Sequence, residues 1–251
     1  MKVLITGASS GIGLDMARYL AKEKNELILV ARDKEKLEKI QTELPTKVTI
    51  IVADLSNEQK VKELYVLLSK EDIDIVINNA GFGDCGYFTE TDLNKELEMI
   101  NTNINAVHIL TKSFLKDMEK KDSGYILNVA SSAAFQPGPL MSTYYATKAY
   151  VYRLTEGIYY EQKKKKSNVH ISVLCPGPVA TNFDNVANVK FSIKQMSSQE
   201  VAEYAIDQML EGKMLIIPGI KMKLSKFFVR FLSDKQLLKI AYNIQRKKVN
   251  K

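Results

Sequence analysis

Short apolar runs alternate along this chain with amphipathic stretches. The runs fall at residues 2–6, 26–31, 48–53, 73–77, 124–130, 170–174 and 213–217, and each has the length and the Val/Ile/Leu content of a strand. Between them, apolar positions recur at helical spacing. Leu14, Ala17, Leu20 and Ala21 share one face, and Ile100, Ile104, Val107, Phe114 and Met118 form a stripe along residues 93–120. Further helices are predicted over 34–44, 143–162 and 199–211. Asp33 is placed to cap the helix 34–44, and Ser56-Asn-Glu-Gln59 reads as a capping box. Strands alternating with helices predict an α/β domain.

The 251 residues, 45% hydrophobic and 26% charged, suit one soluble α/β domain with a single sheet. No apolar stretch approaches the ~18 residues of a membrane span. The chain enters a strand at once, which leaves no room for a signal peptide. Cys85, Cys175, His108 and His170 match no metal-ligand spacing. A reducing, cytoplasmic setting is expected, without a metal.

Charge changes this picture in one place. Residues 221–251 carry ten Lys/Arg and one acid, a net of +9, whereas residues 1–220 carry 26 basic and 28 acidic residues, a net of −2. That asymmetry argues against a nucleic-acid-binding body and for a tail with its own role.

Three stretches carry candidate chemistry. The first strand ends in Gly7-Ala-Ser-Ser-Gly11-Ile-Gly13 and a helix follows. A glycine-rich turn there lets backbone N–H groups approach a phosphate at the positive end of the helix. The second strand ends at Ala31, where NAD-binding folds of this kind carry an acid, and Arg32 comes next. A guanidinium at that place suits a 2′-phosphate; the alternative is a solvated Arg32 beside a capping Asp33. The third stretch puts Ser131 after an apolar run and ends on Tyr144 and Lys148, one helical turn apart. A phenol ionises near pH ~10, and a close cation favours its anion, so Tyr144 is a candidate proton donor or acceptor. Ser132 and Tyr145 compete for these places, but only Tyr144 stands four residues before Lys148.

Thr6-Gly-x-x-x-Gly-x-Gly13, Asn78-Asn-Ala-Gly81, Asn128-x-x-Ser131 and Tyr144-x-x-x-Lys148, in this order, resemble the signature segments of the short-chain dehydrogenases/reductases. The resemblance runs from Thr6 to Thr181 and is to the compact, single-domain branch. It implies one doubly wound Rossmann fold, with seven parallel strands in the order 3-2-1-4-5-6-7 and helices on both faces. It implies an oxidoreductase that moves a hydride between a nicotinamide and a carbonyl or alcohol carbon. Ser131, Tyr144 and Lys148 would be catalytic. Asn103, chosen over Asn101 and Asn105 by the family pattern, would bend its helix and hold a water linked to the lysine. The cofactor would lie on Gly7, Ser9, Ser10, Gly11, Ile12 and Gly13, with Arg32 at the 2′-phosphate. Asp54 and the Leu55 N–H would meet the adenine, and Asn79, Ala80 and Gly81 its ribose. Tyr144, Lys148, Pro176, Gly177, Val179 and Thr181 would hold the nicotinamide end. NADP(H) is preferred and NAD(H) remains compatible. Asn78 serves either the strands or the ligand. A small, apolar carbonyl or alcohol substrate is expected, because no charged anchor accompanies these segments. Binding of NADP without turnover, as a sensor or scaffold, is the alternative from another class. The resemblance also implies a homodimer or homotetramer through helices 93–120 and 143–162.

Residues 182–198 read as a lid, or as disordered without ligand. In the tail, Leu224, Phe227, Phe228, Phe231 and Leu232 recur at helical spacing among Lys221, Lys223, Lys226 and Arg230, and a second helical stretch covers 235–247. Residues 221–251 are thus an amphipathic basic extension of the 1–220 domain. Such a stripe either contacts an anionic membrane surface, as in a lipid- or sterol-type reductase, or packs across the pocket entrance or a partner subunit.

Overall fold

The computed structural model describes residues 1–187 and 195–249. In chain order the elements are β1 (Lys2–Thr6), α1 (Gly11–Lys22), β2 (Glu26–Ala31), α2 (Lys34–Glu43), β3 (Val48–Val52), α3 (Glu58–Leu68), β4 (Ile75–Asn78) and α4 (Leu93–Ile100). A wide helical turn (Asn101–Ala106) leads into α5 (Val107–Lys121), β5 (Gly124–Val129), α6 (Ser142–Lys165), β6 (Val169–Leu174) and β7 (Val179–Ala180). Then come α7 (Phe183–Val186), β8 (Met196–Ser197), α8 (Ser198–Leu210), β9 (Leu215–Ile216), α9 (Ile220–Val229) and α10 (Asp234–Val249).

Seven strands form one sheet in the order β3-β2-β1-β4-β5-β6-β9, all parallel. The continuous apolar runs follow from burial of both faces, since successive side chains point to opposite sides. In β1, Val3 and Ile5 join a core with Met16, Leu20, Val201 and Ile206. Leu4, between them, packs with Leu64, Leu110 and Phe114 on the other side. Helices α1, α2 and α8 therefore cover one face, and α3, α5 and α6 the other. Chain order reverses between β1 and β4, and in open sheets of this kind ligands bind beyond the carboxyl ends of the strands at such a point.

Local corrections have local causes. The cap of α3 is Asn57, whose side chain accepts from the Lys60 N–H, and not Ser56. Ser56 is engaged with Asp54, donating both its N–H and its hydroxyl to Oδ1. The strand predicted over 213–217 is confined to two residues, because β6 is its sole neighbour and pairs with it only at Val173–Leu215 and Leu174–Ile216. A two-stranded pair of β7 and β8 was not foreseen. Of the stretch read as a lid, residues 188–194 lie outside the described residues. Among the described residues no helix is long and apolar enough to cross a membrane.

Candidate active site

One cavity of about 700 Å³ opens along the carboxyl ends of the strands. The glycine turn forms one part of its wall. Gly7 and Gly11 have φ of 65° and 55°, a region that strongly favours glycine. Close approach matters as much as conformation. A Cβ on Gly7 would stand 2.8 Å from Ala80 Cα, and one on Gly13 would stand 2.4 Å from Asn79 Nδ2 and 2.5 Å from the Gly7 oxygen. Asn79 stitches this region together, donating from Nδ2 to the carbonyls of Thr6 (3.0 Å) and Gly7 (3.1 Å). The Thr6 hydroxyl accepts from the N–H groups of Asn79 and Ala80.

Helix starts here differ in kind, and α1 shares the bare kind with α6 and α9. Helices α2, α3, α4 and α8 each have a side-chain cap and an acid in the first turn. Helix α1 has neither. Its first N–H groups have no carbonyl partner within the helix, and its positive end borders the cavity. An uncapped helix end behind a cradle that a Cβ would fill fits a phosphate group.

Of the residues expected to hold a cofactor, Gly7, Ser9, Ser10, Gly11, Ile12, Arg32, Asp54, Leu55, Asn79, Ala80 and Gly81 all line this cavity. Tyr144, Lys148, Pro176, Gly177, Val179 and Thr181 line it too. Gly13 lies beneath the turn and off the wall, so its requirement for glycine is one of packing against Asn79. Asp33 does cap α2, accepting from the Lys36 N–H at 3.0 Å, while Arg32 is exposed beside it at the cavity edge.

Ser131, Tyr144 and Lys148 meet deeper in the cavity. Ser131 follows β5, and its hydroxyl oxygen accepts from the Ala133 N–H at 3.1 Å. Tyr144 and Lys148 are both buried on the first turns of α6. Lys148 Nζ donates to the Val129 carbonyl at 3.0 Å and stands 5.9 Å from the Tyr144 ring centroid. Burial pulls the Lys148 ammonium down to about 8. Burial also raises the Tyr144 phenol well above its ordinary range, and a hydrogen bond with Ser131 only partly opposes this. Burial thus works on the Tyr144 phenol in the direction opposite to a neighbouring cation, and keeps it a proton donor. Desolvation of the anion outweighs an ammonium that is itself partly neutralised by burial and directed at a carbonyl.

Asn103 sits in the wide turn between α4 and α5, fully buried. Its amide is engaged on both sides. Oδ1 accepts from the Phe82 N–H (3.1 Å), while Nδ2 donates to the Phe82 carbonyl (2.9 Å) and to Thr147 (3.0 Å). It touches the site from behind, since a Cβ on Gly81 would meet both Asn103 Oδ1 (2.9 Å) and Lys148 Nζ (3.2 Å). Asn78 and Asn128 are interior: Asn78 donates to Asn128 Oδ1 (2.8 Å) and to Thr111, and Asn128 donates to Thr155.

Other wall residues come from the stretch read as a lid and from the tail, whose alternative reading is packing across the pocket entrance. The Phe183 ring lies over Tyr144, with centroids 5.3 Å apart. From the tail, Met222, Val229, Ile244 and Gln245 reach the cavity. Met222 packs on Gly177, where a Cβ would stand 2.8 Å from its Cγ. The stripe singled out from sequence faces the other way, with Leu224, Phe227, Phe228 and Phe231 all exposed.

Comparison with known proteins agrees with this geometry. A family model described as short chain dehydrogenase matches residues 1–190. A hydroxysteroid dehydrogenase-like protein 1 of Gallus gallus is 33% identical over 215 residues, 81% of this chain and 63% of that protein, so the match spans less than two thirds of its length. An uncharacterized oxidoreductase of Staphylococcus aureus is 31% identical over 211 residues, 82% of this chain and 90% of that protein. Among solved structures, a short-chain dehydrogenase from Sphingobium yanoikuyae in complex with NADPH is 28% identical, with a TM-score of 0.83 over 92% of each chain.

Proposed function

This chain belongs to the short chain dehydrogenase family, and on that premise we propose that it is an NADP(H)-dependent reductase of small, largely apolar carbonyl compounds. The observation that carries the reading is convergence. Ser131, Tyr144 and Lys148 share one cavity with a phosphate-sized glycine cradle and an uncapped helix end. When bound, the cofactor supplies a hydride from its nicotinamide. Tyr144 gives its proton to the carbonyl oxygen as that oxygen gains charge, and the Ser131 hydroxyl donates a hydrogen bond to the same oxygen. A phenol held protonated by burial suits the reductive direction. Lys148, anchored on the Val129 carbonyl, would hold the ribose of the nicotinamide end. Asn103 fixes Phe82 and Thr147 around that lysine, and its own amide is already engaged.

Preference for NADP(H) over NAD(H) rests on Arg32, which borders the cavity at the end of β2 where no acid stands. The apolar character of the substrate rests on Phe183, Met222, Val229 and Ile244. Helices α9 and α10 extend the domain and contribute Met222, Val229, Ile244 and Gln245 to the wall of the cavity. Their outer face, Leu224, Phe227, Phe228 and Phe231 among Lys221, Lys223 and Arg230, supports peripheral contact with an anionic membrane surface. Association of two or four copies through α4, α5 and α6 is supported by exposed Leu93, Leu97 and Tyr150.

NADPH and NADH oxidation by the purified protein against a panel of aldehydes and ketones tests the reading. Faster oxidation of NADPH than of NADH, and with apolar ketones, is expected. Binding of NADPH with no turnover anywhere in the panel would favour the sensor alternative, and failure to bind either nucleotide would reject both.

A further inference from the structure

Where α6 meets α10, a polar cluster interrupts the apolar wall of the cavity. Tyr145 follows Tyr144, and the two rings stand edge to face with centroids 6.1 Å apart. The loop before α6 fixes the Tyr145 ring by leaving out a side chain, since a Cβ on Gly138 would stand 2.1 Å from its Cγ. Gln245, on α10, is 1% exposed and donates from Nε2 to the Tyr145 hydroxyl. Tyr145, Gln136 and Gln245 all line the cavity.

Counting donors and acceptors shows what this cluster lacks. The Gln245 amide donates to the Tyr145 oxygen, which leaves the phenol proton to be given elsewhere. Gln245 Oε1 is buried and has no hydrogen-bond partner among the described residues. A buried polar atom left in that condition is costly and calls for an explanation. One unused donor and one unused acceptor, side by side on a cavity wall, are the complement of a hydroxyl group. A hydroxyl can donate to Oε1 while accepting from the phenol.

We propose that Tyr145 and Gln245 form a hydroxyl-binding subsite, and that the preferred substrate is an apolar carbonyl compound carrying a second, unreacting hydroxyl. This deepens the reductase reading and depends on it for the reaction, though not for binding. The tail thereby takes part in substrate choice, because Gln245 lies 100 residues beyond Tyr145 in sequence.

Cyclic ketones assayed in pairs test the subsite: cyclohexanone with 4-hydroxycyclohexanone, and a decalone with its hydroxylated counterpart. A site built to bond a hydroxyl rejects the analogue that lacks it. The wild-type protein should favour the hydroxylated member by ~10-fold or more in kcat/KM, the factor that ~1.4 kcal/mol supplies. In Gln245→Leu and in Tyr145→Phe that ratio should fall towards one. Thermal melting and NADPH titration establish that each variant is folded, and Tyr145→Phe keeps the ring if the α10 substitution proves disruptive. A wild-type ratio near one, or a ratio that both variants retain, overturns the subsite. If no ketone turns over, the reductase reading has failed separately, and calorimetric binding of the same pairs decides. A preference for the hydroxylated member that Gln245→Leu erases sustains the subsite, and equal affinities overturn it.

Discussion

Replacing Lys148 with methionine should make the cofactor-free protein more stable at neutral pH while removing its activity. Burial lowers this ammonium from 10.5 to about 8. Because the folded value lies below the unfolded one, folding carries a penalty that is complete below about pH 8. The penalty is relieved as the pH rises from the folded value towards the unfolded one. At 1.36 kcal/mol per unit it amounts to roughly 3 kcal/mol at pH 7 and roughly 1.4 kcal/mol at pH 9.5. Methionine fills a similar volume without a charge but leaves the Val129 carbonyl unmatched, at about 1–3 kcal/mol. The net gain at pH 7 is then about 1 kcal/mol. The sharper signature is its pH dependence: the stability difference between variant and wild type should shift by about 2 kcal/mol against the variant between pH 7 and pH 9.5. Urea denaturation of both proteins at the two pH values measures this. A difference that stays constant with pH would refute the claim that a strained, buried ammonium sits at the centre of the site.

Other consequences follow from particular contacts. Arg32→Ala should weaken NADPH binding by about 10- to 100-fold, the scale of a charge-assisted hydrogen bond, with little effect on NADH in parallel fluorescence titrations. Gly13→Ala should destabilise the fold by about 1–3 kcal/mol in urea melts, because its Cβ would meet Asn79 Nδ2 and the Gly7 carbonyl. The Phe227→Ser, Phe231→Ser double variant should lose most of its binding to anionic vesicles in a flotation assay while binding NADPH normally; undiminished flotation would remove the membrane reading.

The fold was legible because a sheet covered on both faces writes itself as continuous apolar runs. Val3, Leu4 and Ile5 are all buried, though they belong to two different cores. The region around the glycine turn was legible for a related reason: Gly7–Gly13, Arg32, Asp54–Leu55 and Asn78–Gly81 are short local segments at strand ends. The other side of the cavity was not. Phe183 fell in the stretch read as a lid, but Met222 and Gln245 reach the cavity only through long-range packing, and nothing in their immediate sequence marks them. In α9 the contrast between apolar and charged positions pointed to Phe227, Phe228 and Phe231, whereas Met222 and Val229 on the less conspicuous face reach the cavity. The environment of the proton donor was hidden for the same reason. Lys148 could be counted from sequence as a neighbouring charge, but the burial that raises the Tyr144 pKa could not.

The central claim is that Tyr144 delivers the proton in a carbonyl reduction while others hold the cofactor. It is tested most directly by turnover and NADPH affinity of Tyr144→Phe beside wild type, with the best ketone of the panel. Loss of general acid catalysis predicts a fall in kcat of about 10²- to 10⁴-fold with an NADPH dissociation constant almost unchanged. A variant that turned over at the wild-type rate would contradict the account.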